Sequence, residues 1–260
     1  MDNTTDPRLT AFARLLKIMD ELREQCPWDR EQTMESLRHL TIEETYELGD
    51  AILEGDDAEI KKELGDILLH IVFYAKIASE TGKYDIADVI DSLCEKLIHR
   101  HPHIYGDVVV GDDEEVSRNW EKLKLKEGKT SVLEGVPVSL PAVVKSMRIQ
   151  EKARAAGFDW EEKHQVWEKV KEEMNEFHDE AEAGNVPAMQ AEFGDLLFSL
   201  VNYARVMGIN PEESLERTNK KFINRFRFME DRVREKGLSL ADLNLAEMDV
   251  YWNEAKKNGL

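Results

Sequence analysis

The chain has 260 residues, 42% hydrophobic and 34% charged, a globular composition with enough apolar material for one large domain or two of ordinary size. Its formal net charge of -19 opposes general binding to a nucleic-acid polymer, which requires a basic footprint. Cys26 and Cys94 supply neither a disulfide framework nor a thiolate zinc site, and no apolar run approaches the roughly 18 residues that span a membrane.

Met1 to Pro7 lacks the basic and apolar parts of a signal peptide, so a cytoplasmic location is expected. Apolar residues at Leu9, Phe12, Leu15, Leu16, Met19 and Leu22 recur at spacings of three and four, predicting an amphipathic helix that stops at Cys26-Pro27-Trp28-Asp29. A second helix is predicted from Thr41, where Thr41 and Glu44 have capping-box spacing, to a stop at Gly55. Asp56 or Asp57 then caps a third, running to about Gly82. Its centre, Ile67 to Ala75, is apolar on nearly every side, which predicts a helix surrounded by others. A fourth helix is expected from Asp85 to Arg100, and a short helical piece around Trp120 to Lys126.

Gly128 to Pro141, with Gly128, Gly135, Pro137 and Pro141, reads as a boundary. It separates a first repeat, 1–128, from a second, 129–260, with 129–140 as linker. The second half restates the plan: a helix from Pro141 to Ala156, then Gly157-Phe158-Asp159-Trp160, and an apolar helix from about Pro187 to Met207 closed by Gly208. No strand-like alternation of comparable length occurs, so the expected fold class is all-α, two tandem helical bundles.

The repeat is sharpest in its acids. Glu43-Glu44-Thr45-Tyr46-Glu47 precedes Glu63-Leu64-Gly65-Asp66, and Glu172-Glu173-Met174-Asn175-Glu176 precedes Glu192-Phe193-Gly194-Asp195, every acidic position displaced by 129. Residues three apart share a helix face, so two neighbouring helices point four carboxylates at one spot. Such oxygen ligands suit Mg²⁺, with Mn²⁺ as a substitute. The candidate metal ligands are Glu44, Glu47, Glu63 and Asp66 in the first copy and Glu173, Glu176, Glu192 and Asp195 in the second. Glu43 and Glu172, with Glu44 and Glu173, are the candidates for orienting or deprotonating a water. Asp66 and Asp195 interrupt the most apolar helices, where an unpaired carboxylate is costly. Gly65 and Gly194 beside them suggest close helix approach. An alternative is that these acids are solvated helix faces.

Cations follow in each half. Lys96 and Arg100 are matched by Lys221 and Arg225, and Trp120 and Lys124 by Trp252 and Lys256. A hard ion with Lys and Arg is equipment for a polyphosphate, and a Trp stacks on a base. Surface ion pairing and ordinary packing explain the same pairs when each is taken singly. His99, His101 and His103 follow a helix around Pro102 and read as a capping turn. No Gly-x-x-x-x-Gly-Lys-Ser/Thr phosphate loop is present.

The two acidic patterns, with Cys26-Pro27-Trp28-Asp29, Arg100-His101-Pro102-His103 and Gly157-Phe158-Asp159-Trp160, resemble the MazG family of two-repeat nucleoside triphosphate pyrophosphohydrolases. The resemblance covers nearly the whole chain. It implies an all-α, Mg²⁺-dependent enzyme, homodimeric, that cleaves triphosphates between the α and β phosphates into a monophosphate and pyrophosphate. By position it makes Glu173, Glu176, Glu192 and Asp195 metal ligands and Lys221, Arg225, Trp252 and Lys256 substrate contacts. Lys145, Arg148 and Lys152 share a face of the helix before the second site, where the first repeat has Lys17, Asp20 and Glu24, so the second repeat is expected to be the principal site. Two rival readings remain at this level. One is a di-metal oxidoreductase on a helical bundle, for which only Glu161 and His164 have the usual Glu-x-x-His spacing. The other is a helical interaction protein without catalysis.

Overall fold

Helical periodicity carries through to the backbone: the computed structural model, which describes residues 6–112, 115–116, 119–120, 123 and 131–260, is all-α, with no strand among the described residues. Among the described residues no helix is long and apolar enough to cross a membrane. The chain divides into two compact units, Met1–Val110 and Gly111–Leu260, against the expected 1–128 and 129–260.

In the first unit α1 (Pro7–Gln25) is capped by the Asp6 carboxylate, and α2 (Pro27–Glu31) begins on a proline that cannot continue α1. Then come α3 (Met34–Glu54), α4 (Asp57–Ser79), α5 (Ile86–Arg100) and α6 (Pro102–Tyr105). Helices α3 and α4 form a hairpin, turned by Gly55 at φ 70° and by Asp56, whose carboxylate accepts from Ala58 N and Glu59 N. Positive φ is the conformation in which glycine alone avoids a Cβ clash. The core gathers Met19, Leu37, Val72 and Phe73, with Phe12, Leu15, Leu16, Leu40 and Leu69 against it. Arg23, over the Phe73 ring at 5.6 Å, is paired with Glu80 at 2.5 Å. The His101 ring nitrogen sits 2.6 Å from Leu97 O at the end of α5, the capping role expected of the histidine cluster.

The second unit contains α7 (Ala142–Ala155), α8 (Lys163–Ala183), α9 (Val186–Val206), α10 (Pro211–Glu235), a 3₁₀ turn at Leu240–Asp242 and α11 (Leu245–Lys257). Both ends of α8 and the start of α9 stand 129 residues after those of α3 and α4, and the turning glycine recurs as Gly184 at φ 68°. Helix α7 packs on α9 and α10, while α10 and α11 close a separate small core of Met229, Val233 and Tyr251.

Three expectations need correction. Thr41 does not start a helix: α3 begins seven residues earlier, where Thr33 and Ser36 make the reciprocal capping box. The Thr41 hydroxyl, inside the helix, bonds back to Leu37 O at 3.1 Å and meets the Tyr74 hydroxyl at 2.6 Å. Gly65 and Gly194 do not mark close approach, since a Cβ added at either meets nothing within 4 Å. Nor are the apolar helices enclosed. Leu64, Leu68 and Ile71 of α4 and Phe193, Leu197, Phe198 and Leu200 of α9 are all exposed.

Candidate active site

Each helical hairpin gathers its carboxylates across the pair. Glu44 on α3 and Glu63 and Asp66 on α4 bring oxygens within 4.8 Å of one another, as do Glu173 and Glu176 on α8 with Glu192 on α9. Glu47 and Asp195 stand outside these groups. Glu63 is only 2% exposed; one oxygen takes Lys62 Nζ at 2.7 Å and the other is buried without a hydrogen-bond partner. Glu173, 6% exposed, is met by Lys169 Nζ at 2.8 Å, which also reaches Glu172 at 2.8 Å.

Burial, and after it the crowding of like charges, shows in the protonation equilibria. Burial, followed by the charge of Asp66 and contact with Glu63, pushes the Glu44 carboxyl above its ordinary value. Burial and then the charge of Glu173 do the same to Glu176. The carboxylates raise Lys169 and Lys62 in return, first through the hydrogen bonds these lysines donate to Glu172 and Glu63 respectively. In the first repeat a buried Glu63 oxygen without a donor, beside a Glu44 carboxyl pushed toward its neutral form, fits a hard divalent cation: an ion supplies the missing partner and removes the repulsion.

What separates the repeats is the space beside the acids. In the second, a cavity of about 630 Å³ adjoins Glu173 and Asp195, walled by Phe158, Trp160, Phe198 and Gln150, with Lys169 and Arg205 among its cations. Arg205 holds the Asp159 carboxylate at 2.5 Å and the Asn202 amide oxygen at 2.8 Å, tying the Gly157 to Trp160 loop to α9. Burial alone would raise Asp159, but the hydrogen bonds from Arg205 and from Trp160 N carry it below the ordinary carboxylate value. Displacement by 129 sets Leu40, His70 and Phe73 where the second repeat has Lys169, Ser199 and Asn202. Phe73 is 2% exposed in the core and Leu40 packs against it, so side chains fill the first repeat at these positions.

The expected cations fall elsewhere. Lys145 donates to Val138 O, Arg148 pairs with Glu151, and Lys152 is buried with its Nζ on Val132 O; none lines the cavity. Lys221 and Arg225 lie on α10 and Trp252 and Lys256 on α11, and none of the four lines the cavity. Arg225 lies 5.7 Å from the Trp252 ring centre and donates to Leu260 O at 2.7 Å. Lys96 and Arg100 are on α5, Trp120 is half-buried, and Lys124 lies outside the described residues. Glu43 and Glu172 are exposed, and no described ligand group includes His164. The sequence reading missed Lys169, Arg205, Gln150 and Asn202. For Lys169 a signal existed, since it stands four residues before Glu173 on one helix face.

Comparison with known proteins gives the family of the chain. The family model described as the MazG nucleotide pyrophosphohydrolase domain matches twice, at residues 32–105 and 161–228, spanning both carboxylate hairpins. A Thermotoga maritima protein named nucleoside triphosphate pyrophosphohydrolase/pyrophosphatase MazG is 44% identical over 250 residues, covering 94% of this chain and 95% of its own. An Escherichia coli K12 nucleoside triphosphate pyrophosphohydrolase is 40% identical over 253 residues, covering 94% and 96%. A solved structure of a mazG-related protein from Thermotoga maritima aligns with 44% of this chain and 98% of its own at 27% identity and a TM-score of 0.39.

Proposed function

The chain belongs to the MazG family of nucleotide pyrophosphohydrolases, and from that membership we propose that it hydrolyses nucleoside triphosphates between the α and β phosphates, with Mg²⁺ as cofactor, giving a monophosphate and pyrophosphate. The observation that carries the reading is the cavity of about 630 Å³ opening beside Glu173 and Asp195 in the second repeat. It is of a size that holds a nucleoside while the phosphates lie against the acids. The second repeat is therefore the principal site. Vacant space supports that assignment, rather than the α7 cations.

Glu173, Glu176 and Glu192, with Asp195 at the rim, would hold the ion. When bound it neutralises phosphate charge and makes water a better nucleophile, the usual contribution of Mg²⁺ to such hydrolyses. Water adds to the α phosphorus and the bond to the oxygen bridging to the β phosphate breaks. The water's proton passes to a carboxylate, for which Glu172, exposed and 2.8 Å from Lys169, is the candidate, and the departing pyrophosphate takes the electron pair. Lys169, 2.8 Å from Glu173, stabilises charge on the phosphates. Lys221, Arg225, Trp252 and Lys256 stand away from the cavity within one chain. Association of two copies through the exposed apolar face of α9 would supply them from a partner, which supports a homodimer.

Incubation with a nucleoside triphosphate and Mg²⁺, followed by separation of products, tests the reaction. Monophosphate and pyrophosphate are expected; diphosphate with orthophosphate would refute the cleavage position.

A further inference from the structure

Gln150 on α7 is 6% exposed, a polar side chain in the wall of the cavity. Its Nε2 donates to Phe198 O at 2.8 Å. A carbonyl oxygen only accepts, so this bond fixes which end of the amide is which. Its Oε1 is then the free end, buried and with no donor. A buried acceptor left unmet costs stability, and a native fold usually retains such a cost for something that arrives later. The surrounding wall is largely apolar, with Trp160, Phe158, Phe198 and Leu133 among its residues, and Phe158 and Leu133 are exposed. Aromatic faces with one fixed acceptor describe a pocket for a planar base that carries an N–H donor at its edge.

We infer that Gln150 is a specificity-determining residue of the second repeat, its Oε1 accepting from the exocyclic amino group of adenine or cytosine. This rests on the triphosphate reading above. The purine and pyrimidine pairs make the discrimination clean. Adenine and hypoxanthine, like cytosine and uracil, differ at the exocyclic position by an amino group against a carbonyl oxygen, while the ring N1–H of hypoxanthine and N3–H of uracil lie one atom further along the edge. A carbonyl placed against the Gln150 oxygen sets two acceptors face to face. It leaves the amide as unsatisfied as in the free protein and adds repulsion.

The test is kcat/KM for pyrophosphate release from ATP, ITP, CTP and UTP, with wild type and Gln150→Leu. Wild type is expected to favour ATP over ITP and CTP over UTP by about tenfold or more, the effect of one buried hydrogen bond lost with its acceptor stranded. Gln150→Leu, of similar volume, is expected to bring both ratios near one by losing the amino-bearing substrates while keeping ITP and UTP. Equal rates for the paired substrates in wild type would overturn the inference, as would unchanged ratios in the variant, because a trapped water on Oε1 would explain the orphan equally well. The wild-type ratios decide the matter even if the variant does not fold. Pyrophosphate from none of the four would instead refute the triphosphate reading, a different result from release at equal rates.

Discussion

Replacing Lys169 by Met separates what this cation does for the empty site from what it does for substrate. Its ammonium lies 2.8 Å from Glu173 and 2.8 Å from Glu172. At that distance a pair of unit charges attracts by about 1.5 kcal/mol at the dielectric of water and about 6 kcal/mol at an effective value of 20. Lys169 is 34% exposed on its side chain and Glu173 only 8%, so solvent screens one partner and not the other. We take ~2 kcal/mol as the stability lost in metal-free protein, near the low end of that range. Mg²⁺ must displace or share this lysine to reach Glu173. Lys169→Met is therefore expected to bind Mg²⁺ about tenfold more tightly, the equivalent of ~1.4 kcal/mol, while losing triphosphate turnover. Urea unfolding in EDTA and in saturating Mg²⁺ measures the first effect, and calorimetric titration with Mg²⁺ the second. Weaker or unchanged Mg²⁺ affinity in the variant would refute the argument that lysine and ion compete for one carboxylate.

Glu176→Gln is expected to lower kcat at least a hundredfold and Glu47→Gln to leave most activity, on the scale of lost catalytic electrostatics; full activity in the former would move the principal site to the first repeat. The Glu80 carboxyl is held below its ordinary value, first by its hydrogen bond with Arg23. Its contribution is thus present above the unfolded carboxylate value and lost as pH falls below it, and Glu80→Gln should flatten the acid side of the stability curve measured by denaturant midpoint. Gly55→Ala and Gly184→Ala, at φ 70° and 68°, should each cost about 1 kcal/mol in the same measurement, because both repeats turn their hairpins alike. Leu197→Glu, on the exposed face of α9, should yield monomers by light scattering and lose turnover; a dimer with normal activity would exclude that face as the contact.

Local chemistry made much of the fold readable. Spacing by three and four, a glycine stop and an aspartate cap lie within one or two turns of each other, so α1, α4 and α5 were predictable nearly to their ends. Thr41 misled because its spacing to Glu44 mimics a cap, whereas Met34 to Leu40 continues the same apolar periodicity back to Thr33. The uniformly apolar character of α4 and α9 was read as enclosure, but side chains on every face say only that every face needs a neighbour. Part of that neighbour is absent within each unit.

The acids were legible as a set, since a carboxylate hairpin follows from helix geometry and a short turn. Their surroundings were not. Arg205 meets Asp159 across 46 residues and Gln150 meets Phe198 across 48, contacts that no local window contains. The expected α7 cations failed for the same reason: a shared helix face says which side chains travel together, not what stands opposite them.

Helices α3 and α8 begin and end in the same register, and that bears on how a chain comes to hold two versions of one pocket. A duplicated hairpin starts with the same hole twice and therefore with the same packing deficit twice. Once one copy serves substrate, its twin is released to exchange vacancy for cohesion. Phe73, His70 and Leu40, standing where Asn202, Ser199 and Lys169 leave room, are the outcome expected of that release. The comparison of a hairpin with open space beside its acids and one packed with side chains is thus set inside a single polypeptide. The first half serves as a natural control on which the cost of keeping a pocket open can be measured.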